Sequence, residues 1–273
     1  TGSGKSLLAT QLCTARREAE GLRILFSYEL SKHEMYFRAI CQAARITPER
    51  LQAIIEERAT LEEHAILGYE RQLFSDIPES LFVREAVRFV KAIDYLNKFC
   101  RFVDFSGAER TKTHVFGSGG LDEVANYLTE LKTRIALPIR SVVIDWAGAA
   151  LRREAELHQG DINRYMTQKL AEYVQKAHEK VATKFDCPVW IVHQLAGNVA
   201  DRGPNYIPHH THADWCKSFA QFAWYSFALG NPLECSEEAK LFVCSKYRRV
   251  KAPPMKIVAI DLSLNFVDRS NVY

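Results

Sequence analysis

The sequence has no apolar run of the roughly 18 residues that a membrane-spanning helix needs. It also has no internal repeat and no low-complexity segment, so neither a repeat array nor a disordered linker is indicated. A strong excess of one charge is missing too, because 36 Lys and Arg residues nearly balance 33 Asp and Glu residues and leave a net charge of +3. This balance neither requires nor forbids a nucleic-acid partner, since a basic channel can form on a nearly neutral protein.

The cysteines lack the pattern of a disulfide framework. There are seven, an odd number, and they are scattered through the chain, mostly within apolar stretches. Reduced thiols in the core of a cytoplasmic protein explain this distribution best. With 273 residues, of which 47% are hydrophobic, the chain can form one large α/β domain or two small ones.

The first six residues, Thr1-Gly2-Ser3-Gly4-Lys5-Ser6, match the end of the phosphate-binding pattern G-x-x-x-x-G-K-[ST]. We expect the first glycine of the pattern and the preceding strand to lie upstream of Thr1. The glycines would let backbone N–H groups surround phosphate oxygens, Lys5 would reach the β- and γ-phosphates, and Ser6 would hold Mg²⁺. Leu7 begins the apolar face of a helix predicted over residues 5–20. The alternative, a flexible Gly/Ser-rich terminus, does not account for that helix.

Three apolar runs end in a polar residue. Glu29 follows the run 23–28, Asp145 ends the run 141–145, and Gln194 follows the run 187–193. The runs are typical of buried parallel strands, whose carboxyl ends meet at the ligand-binding edge of an α/β sheet. There Glu29 could polarise a water that attacks a γ-phosphate, Asp145 could hold Mg²⁺, and Gln194 could respond to the γ-phosphate. As alternatives, Glu29 and Asp145 could each stabilise the start of the next helix or turn.

The rest of the chain predicts helices on both faces of this sheet. Apolar spacing, capping residues and helix-opening prolines indicate helices at 31–44, from 47, from 60, from 78, at 121–134 and at 163–184. Further strands are expected at 101–105, 222–229 and 239–244, with a closing antiparallel hairpin at 256–261 and 264–268.

Two segments outside these elements carry candidate functional residues. At the end of the loop 196–213 stands a cluster of His209, His210, His212, Asp214 and Cys216, whose spacing matches no common zinc site; we favour a solvated loop.

The basic run 245–251 contains Lys246 and Arg248. It is either a solvated turn or a source of cations for a neighbouring subunit's phosphates.

Together these motifs resemble the RecA-like ATPases, and within them the DnaB-type replicative helicases. The segment F-S-Y-E-L-S at 26–31, followed by Met35 and Arg38, is similar to the family segment that carries the catalytic glutamate. The resemblance assigns that role to Glu29, the Mg²⁺-associated acid to Asp145, and the glutamine of the "S-Q-L" motif to Gln194.

In the same resemblance, S-K-Y-R-R contains the K-x-R pair, Lys246 and Arg248, that reaches a neighbouring subunit's nucleotide. The chain departs from the family at Ala196-Gly197, where Asn-Arg is usual, and in a helical insertion at about 47–98.

The resemblance implies one RecA-like ATPase domain over residues 1–273, with its start inside the Walker A loop. Its fold would be a mostly parallel sheet flanked by helices, with antiparallel strands at the C-terminal edge. It would hydrolyse ATP with Mg²⁺ at the subunit interfaces of a homo-oligomeric ring, expected to be a hexamer, and move along single-stranded DNA. Candidate DNA contacts are Arg152, Arg153 and Arg202. A primase or a loader would be a further partner, and no membrane is involved.

Two alternatives stay open at this point. One is an ATPase of the RecA or KaiC type that does not unwind DNA. The other is an assembly scaffold that only binds the nucleotide.

Overall fold

The computed structural model describes residues 4–15, 20–56, 81–106, 120–149, 151, 161–194, 202–212, 222–248 and 253–271. In chain order the elements are α1 (Lys5–Thr14), β1 (Leu22–Ser27), α2 (Lys32–Ala44), α3 (48–56), α4 (Leu81–Phe99), β2 (Cys100–Asp104), α5 (Leu121–Arg134), β3 (Ile139–Asp145), α6 (Ile162–Ala177), β4 (Val189–Val192), β5 (Tyr225–Leu233), β6 (Ser236–Tyr247), β7 (Lys256–Ile260) and β8 (Phe266–Asp268). Helix α6 continues into a π-helical segment, His178–Thr183.

Strands β1 to β4 form a parallel sheet in the order β2-β1-β3-β4. Every residue of β1 is buried, which explains why its sequence is a nearly continuous apolar run rather than an alternating one. In the register, Ser27 at the end of β1 pairs with both Asp104 of β2 and Asp145 of β3. The strands therefore end together, and the residues that follow them share one edge of the sheet.

Helices cover both faces of this sheet, as predicted. On one face Leu22, Ile24 and Phe26 of β1 pack with α5 and α6. On the other face Leu25 of β1 packs with α1, α2 and α4. Each fully buried aliphatic or aromatic side chain of this kind contributes about 1.5–3 kcal/mol through the hydrophobic effect.

Strands β5 to β8 form an antiparallel sheet in sequential order. We predicted antiparallel strands at the edge of the parallel sheet, whereas the structure gives them a sheet of their own. A contact between the rings of Trp190 on β4 and Phe227 on β5, with centroids 6.2 Å apart, joins the two sheets. Strand β6 is longer than predicted, so Lys246 lies within it rather than in a turn.

Helix α1 is shorter than predicted. It ends at Thr14, because Ala15 leaves the helical conformation with φ −55° and ψ 119°. The Ala15 carbonyl accepts a hydrogen bond from the Tyr95 hydroxyl of α4 at 3.3 Å, a tertiary contact that helical periodicity does not reveal. Gly21, the residue after the predicted helix 5–20, has φ +149° and directly precedes β1. The predicted helix start at Thr60 and the residues 107–119 and 195–201 lie outside the described part of the chain.

The described cysteines are free thiols; Cys13, Cys41, Cys100 and Cys187 are buried, as expected for core residues. Within the described ranges, the helices are all too short or too polar to cross a membrane.

Candidate functional site

The first turn of α1 lies at the edge where the parallel strands end. Gly4 precedes the helix in the left-handed conformation, with φ 80° and ψ 8°, and its carbonyl accepts the first helical hydrogen bond, from the Leu8 N–H at 3.0 Å. Lys5, Ser6 and Leu7 form the first turn, and the N-terminus of a helix favours a bound anion there. Thr1, Gly2 and Ser3 lie outside the described residues.

Two features make Gly4 hard to replace. A side chain other than glycine is strained at a φ of +80°. In addition, a Cβ atom there would lie 2.7 Å from Cζ of Phe266 and 3.3 Å from Cδ1 of Ile260, both in the antiparallel sheet. The start of the helix is therefore covered directly by the closing hairpin.

We expect Gly4→Ala to lower the free energy of unfolding by about 2 kcal/mol, from backbone strain plus displacement of the Phe266 ring. Thermal or urea unfolding measures the change. Gly203→Ala is the matched control, because a Cβ atom at Gly203 meets nothing within 4 Å. Equal stability of the two variants would contradict the packing that we describe.

Glu29 stands in a turn that Ser27 organises. The Ser27 hydroxyl oxygen, at the end of β1, accepts hydrogen bonds from the backbone N–H groups of Leu30 at 2.9 Å and Glu29 at 3.3 Å. Tyr28 donates its N–H to the Asp145 carbonyl of β3 at 2.8 Å. Ser31 then opens α2 with a complete capping box, in which its hydroxyl and the Glu34 carboxylate bond to each other's backbone N–H groups. These bonds fix the backbone on both sides of Glu29 and leave its side chain exposed.

Asp145 ends β3 and is only 1% exposed. Burial raises the pKa of its carboxyl group to about 6; the negative charge of Glu29 adds to the rise, while a hydrogen bond from Ser6 and the charges of Lys5 and Arg38 lower it. The Oδ2 atom of Asp145 is buried and has no hydrogen-bond partner among the described residues. A buried oxygen without a partner is costly, and a water molecule or a bound cation would satisfy it.

Gln194 follows β4 and reaches Glu29. Its Nε2 atom donates to Oε1 of Glu29 at 3.4 Å. The structure therefore brings together five of the predicted site residues at one sheet edge: Lys5, Ser6, Glu29, Asp145 and Gln194.

Lys246 lies near the end of β6 on the antiparallel sheet, and Arg248 follows directly after this strand. Arg248 is exposed, and its N–H donates to the Trp224 carbonyl at 3.2 Å. Burial, followed by the charge of Arg248, lowers the pKa of Lys246. Lys246 pairs with Ser226 of β5 after a shift in register at Ser245, so Lys246 is held on a paired strand rather than in a turn.

The structure describes only some of the candidate DNA contacts and only part of the histidine cluster. Arg152 and Arg153 lie outside the described residues. The Arg202 guanidinium lies 4.9 Å from the centre of the Tyr206 ring and donates to the Tyr206 hydroxyl at 2.9 Å. In the histidine cluster, Nδ1 of His212 contacts the Tyr206 hydroxyl at 3.0 Å, and Asp214 and Cys216 are outside the described residues.

Arg38 is a further residue whose charge acts on this site. It lies on α2, and its positive charge is one of those that lower the pKa of Asp145. In the sequence, Arg38 is part of the segment that resembles the family's catalytic-glutamate segment, but no role was predicted for it. Its position two turns after the Ser31 cap, on a helix that begins at the strand edge, is the signal that could have identified it.

The parallel sheet with helices on both of its faces, together with the second, antiparallel sheet, gives the chain the fold of RecA-like ATPase domains. Its structure is similar to a solved ATPase domain, with a TM-score of 0.66 and 17% identity over 97% of this chain and 81% of that chain. It is also similar to a DnaB-like replicative helicase whose structure was described with its interactions with primase. The TM-score there is 0.65 at 17% identity, and the match covers 97% of this chain and 55% of that chain. No protein-family model and no curated protein matches the sequence. The predicted resemblance is thus confirmed at the level of the fold.

Proposed function

We propose that the chain is the Mg²⁺-dependent ATPase of a ring-shaped, DnaB-like helicase that moves along single-stranded DNA. The observation that carries the proposal is the convergence of Lys5, Ser6, Glu29, Asp145 and Gln194 at one edge of the parallel sheet. Cation, hydroxyl, two carboxylates and an amide at this edge are the groups that phosphoryl transfer to water requires.

Each residue has a distinct role in this proposal. Lys5 and the N-terminus of α1 bind the phosphates and stabilise the negative charge that develops on them. Glu29 accepts a proton from the attacking water and orients it. Gln194 donates to Glu29, and a γ-phosphate oxygen would compete for the same amide, so nucleotide state can pass to the loop beyond β4.

Ser6 and Asp145 fit a Mg²⁺ ion. Hydroxyl and carboxylate oxygens are the ligands that Mg²⁺ prefers, often through water, and the buried Oδ2 atom of Asp145 needs a partner. Bound there, Mg²⁺ would neutralise charge on the β- and γ-phosphates. Proximity of a cation would also favour the ionised form of Asp145, whose pKa is about 6 without it.

Lys246 and Arg248 act in trans. They lie on the second sheet, so we assign them to the phosphates of an ATP held by the neighbouring subunit, where guanidinium groups stabilise transferred phosphoryl groups. A closed ring gives every subunit one donor face and one acceptor face. The expected ring is a hexamer.

DNA is assigned to the segments 147–161 and 196–213, which follow the strand ends. Contacts would run mainly to phosphates, from Arg152, Arg153 and Arg202. An exposed Arg202 over an aromatic ring is a group that can also stack on a base.

The test is ATP turnover by the full chain, with and without single-stranded DNA, together with strand separation on a forked duplex. We expect stimulation by DNA and separation of the strands. Stimulation without separation would favour a RecA-type ATPase, and absence of hydrolysis would favour a nucleotide-binding scaffold. A Lys5→Ala preparation controls for contaminating ATPases.

Chelation of divalent cations should reduce turnover at least a hundredfold, because Ser6 and Asp145 alone bring no positive charge to the phosphates. Added Mg²⁺ should restore it. Turnover that persists in excess chelator would remove Ser6 and Asp145 from the metal site that we assign.

A further inference from the structure

Two glutamine side chains join the helix of the phosphate-binding segment to the closing hairpin. Gln42 of α2 is 4% exposed, and its amide Nε2 donates to the Leu264 carbonyl at 2.8 Å and to the Leu7 carbonyl at 3.0 Å. Its Oε1 accepts from the Thr14 hydroxyl at 3.3 Å. Both amide hydrogens are used, and a rotated amide would place its oxygen against two carbonyls, so the contacts define one orientation.

Gln11 of α1 makes the second connection. Its Nε2 donates to the Phe266 carbonyl at 3.0 Å, and the Phe266 N–H donates to its Oε1 at 2.7 Å. This side-chain amide therefore pairs with edge strand β8 as a neighbouring strand would. We call Gln11 and Gln42 the glutamine clamp.

The clamped hairpin touches the phosphate-binding segment itself. The Phe266 ring and the Ile260 side chain lie so close to Gly4 that a Cβ atom there would be 2.7 Å and 3.3 Å from them. The turn between these residues is stiff, because the Asp261 carboxylate accepts bonds from Ser263 and Asn265, and Asn265 donates to the Gln42 carbonyl at 3.2 Å.

The same hairpin is connected through paired strands to Lys246 and Arg248, which we call the trans cations. Ile260 pairs with Phe266 across β7 and β8, and Phe242 of β6 pairs with Lys256 of β7. From Phe242 the strand runs on to Lys246, about 13 Å further at roughly 3.3 Å per residue, with one irregularity in its pairing to β5 at Ser245. Paired strands thus connect the hairpin that touches Gly4 to β6, which carries Lys246 and directly precedes Arg248.

We propose that Gln11 and Gln42 are positioning residues, which make the phosphate-binding helix and the strand of the trans cations move as one body. The inference rests on the proposed function. In a ring, the clamp would couple the nucleotide held by one subunit to the cations that the same subunit offers to its neighbour. Loosening the clamp would leave ATP binding intact and misplace Lys246 and Arg248.

The experiment compares Gln42→Met and Gln11→Met with wild type in the full chain. Methionine keeps the volume and removes the amide bonds. We expect kcat to fall about tenfold while the Kd for ATP stays within about threefold. Gln52→Met is the matched control, because Gln52 is an exposed helical glutamine that donates locally, to Glu56 at 3.0 Å. If Gln42→Met fails to fold, the kcat and the Kd for ATP of Gln11→Met test the inference, because Gln11 is only half-buried.

A double-mutant cycle separates positioning from a general structural role. Arg248→Lys keeps the positive charge, so we expect this variant to retain enough ATP turnover for kcat to be measured. If the clamp acts through Arg248, the two changes together should reduce kcat much less than the product of the single effects. Effects that multiply, an unchanged kcat, or a weakened Kd with kcat preserved would each overturn the inference. If the wild-type protein hydrolyses ATP, those results overturn only the role of the glutamine clamp and leave the proposed function in place. If the wild-type protein shows no turnover, the glutamine clamp and the proposed function are both overturned.

Discussion

Replacing Glu29 with Gln should reduce ATP turnover about a thousandfold while the Kd for ATP changes by less than about threefold. An amide cannot accept the proton of the attacking water, and a thousandfold loss corresponds to about 4 kcal/mol of transition-state stabilisation. The substitution is nearly isosteric. Its amide oxygen can still accept the hydrogen bond from Gln194, so the local geometry is retained.

An indirect effect through Asp145 would act in the opposite direction. The charge of Glu29 is one of the influences that raise the pKa of Asp145. The neutral amide of the Glu29→Gln variant removes that influence, so the pKa of Asp145 falls and Asp145 is more fully ionised at neutral pH. Lost turnover therefore could not be attributed to protonation of Asp145.

The control is Glu130→Gln, which removes an equally sized carboxylate from the surface of α5, where Glu130 pairs with Arg134 at 3.7 Å. It should turn over ATP as wild type does. Turnover is measured as phosphate release under saturating ATP, and nucleotide affinity with a fluorescent ATP analogue. Full activity of Glu29→Gln would remove Glu29 from the proposed mechanism.

Sequence alone predicted the parts of the fold that are determined by residues close together in the chain. Helix α2 begins at Ser31 because the capping box is contained in four consecutive residues. Helix α5 spans Leu121–Arg134 as its apolar spacing indicates, and the buried strand β3 ends at Asp145 as its apolar run indicates. The same apolar runs predicted that Glu29, Asp145 and Gln194 each lie at the end of a strand.

Contacts between distant parts of the chain could not be predicted in this way. Gln11 and Phe266 are separated by 255 positions, and Gln42 and Leu264 by 222. Nothing in the local pattern of α1 or α2 distinguishes these amides from exposed glutamines such as Gln52. The contact of Gln194 with Glu29 likewise depends on the strand order β1-β3-β4, which no apolar run encodes.

A buried arginine shows the same limit within one strand. Arg23 of β1 is 2% exposed, as its place in the buried run 23–28 predicts, although arginine is rarely buried without a partner. Its guanidinium donates to the Tyr95 hydroxyl at 3.1 Å, and the same hydroxyl donates to Ala15. The partner of the buried Arg23 guanidinium therefore comes from α4, a distant element, and the same tyrosine also bonds the residue at which α1 ends.

The second large effect concerns subunit mixing. Arg248→Ala should by itself reduce turnover about a hundredfold or more, since guanidinium groups that act in trans contribute a factor of roughly 10³ or greater in related chemistry. The Arg248→Ala subunit keeps its own proposed nucleotide site, because Lys5, Ser6, Glu29, Asp145 and Gln194 are unchanged. The variant should therefore bind ATP with wild-type affinity and assemble with wild-type subunits.

Mixing then distinguishes a trans role from a local one. If one defective subunit stops a hexameric ring, an equal mixture should retain only about 2% of wild-type turnover, because few rings contain six intact subunits. Activity in strict proportion to the wild-type fraction would argue against coupling through Arg248. Arg134→Ala, at an exposed position on α5, is the control and should leave turnover unchanged in every mixture. The curvature of turnover against mutant fraction reports how many subunits act together, so the same titration that tests Arg248 also tests the expected ring size.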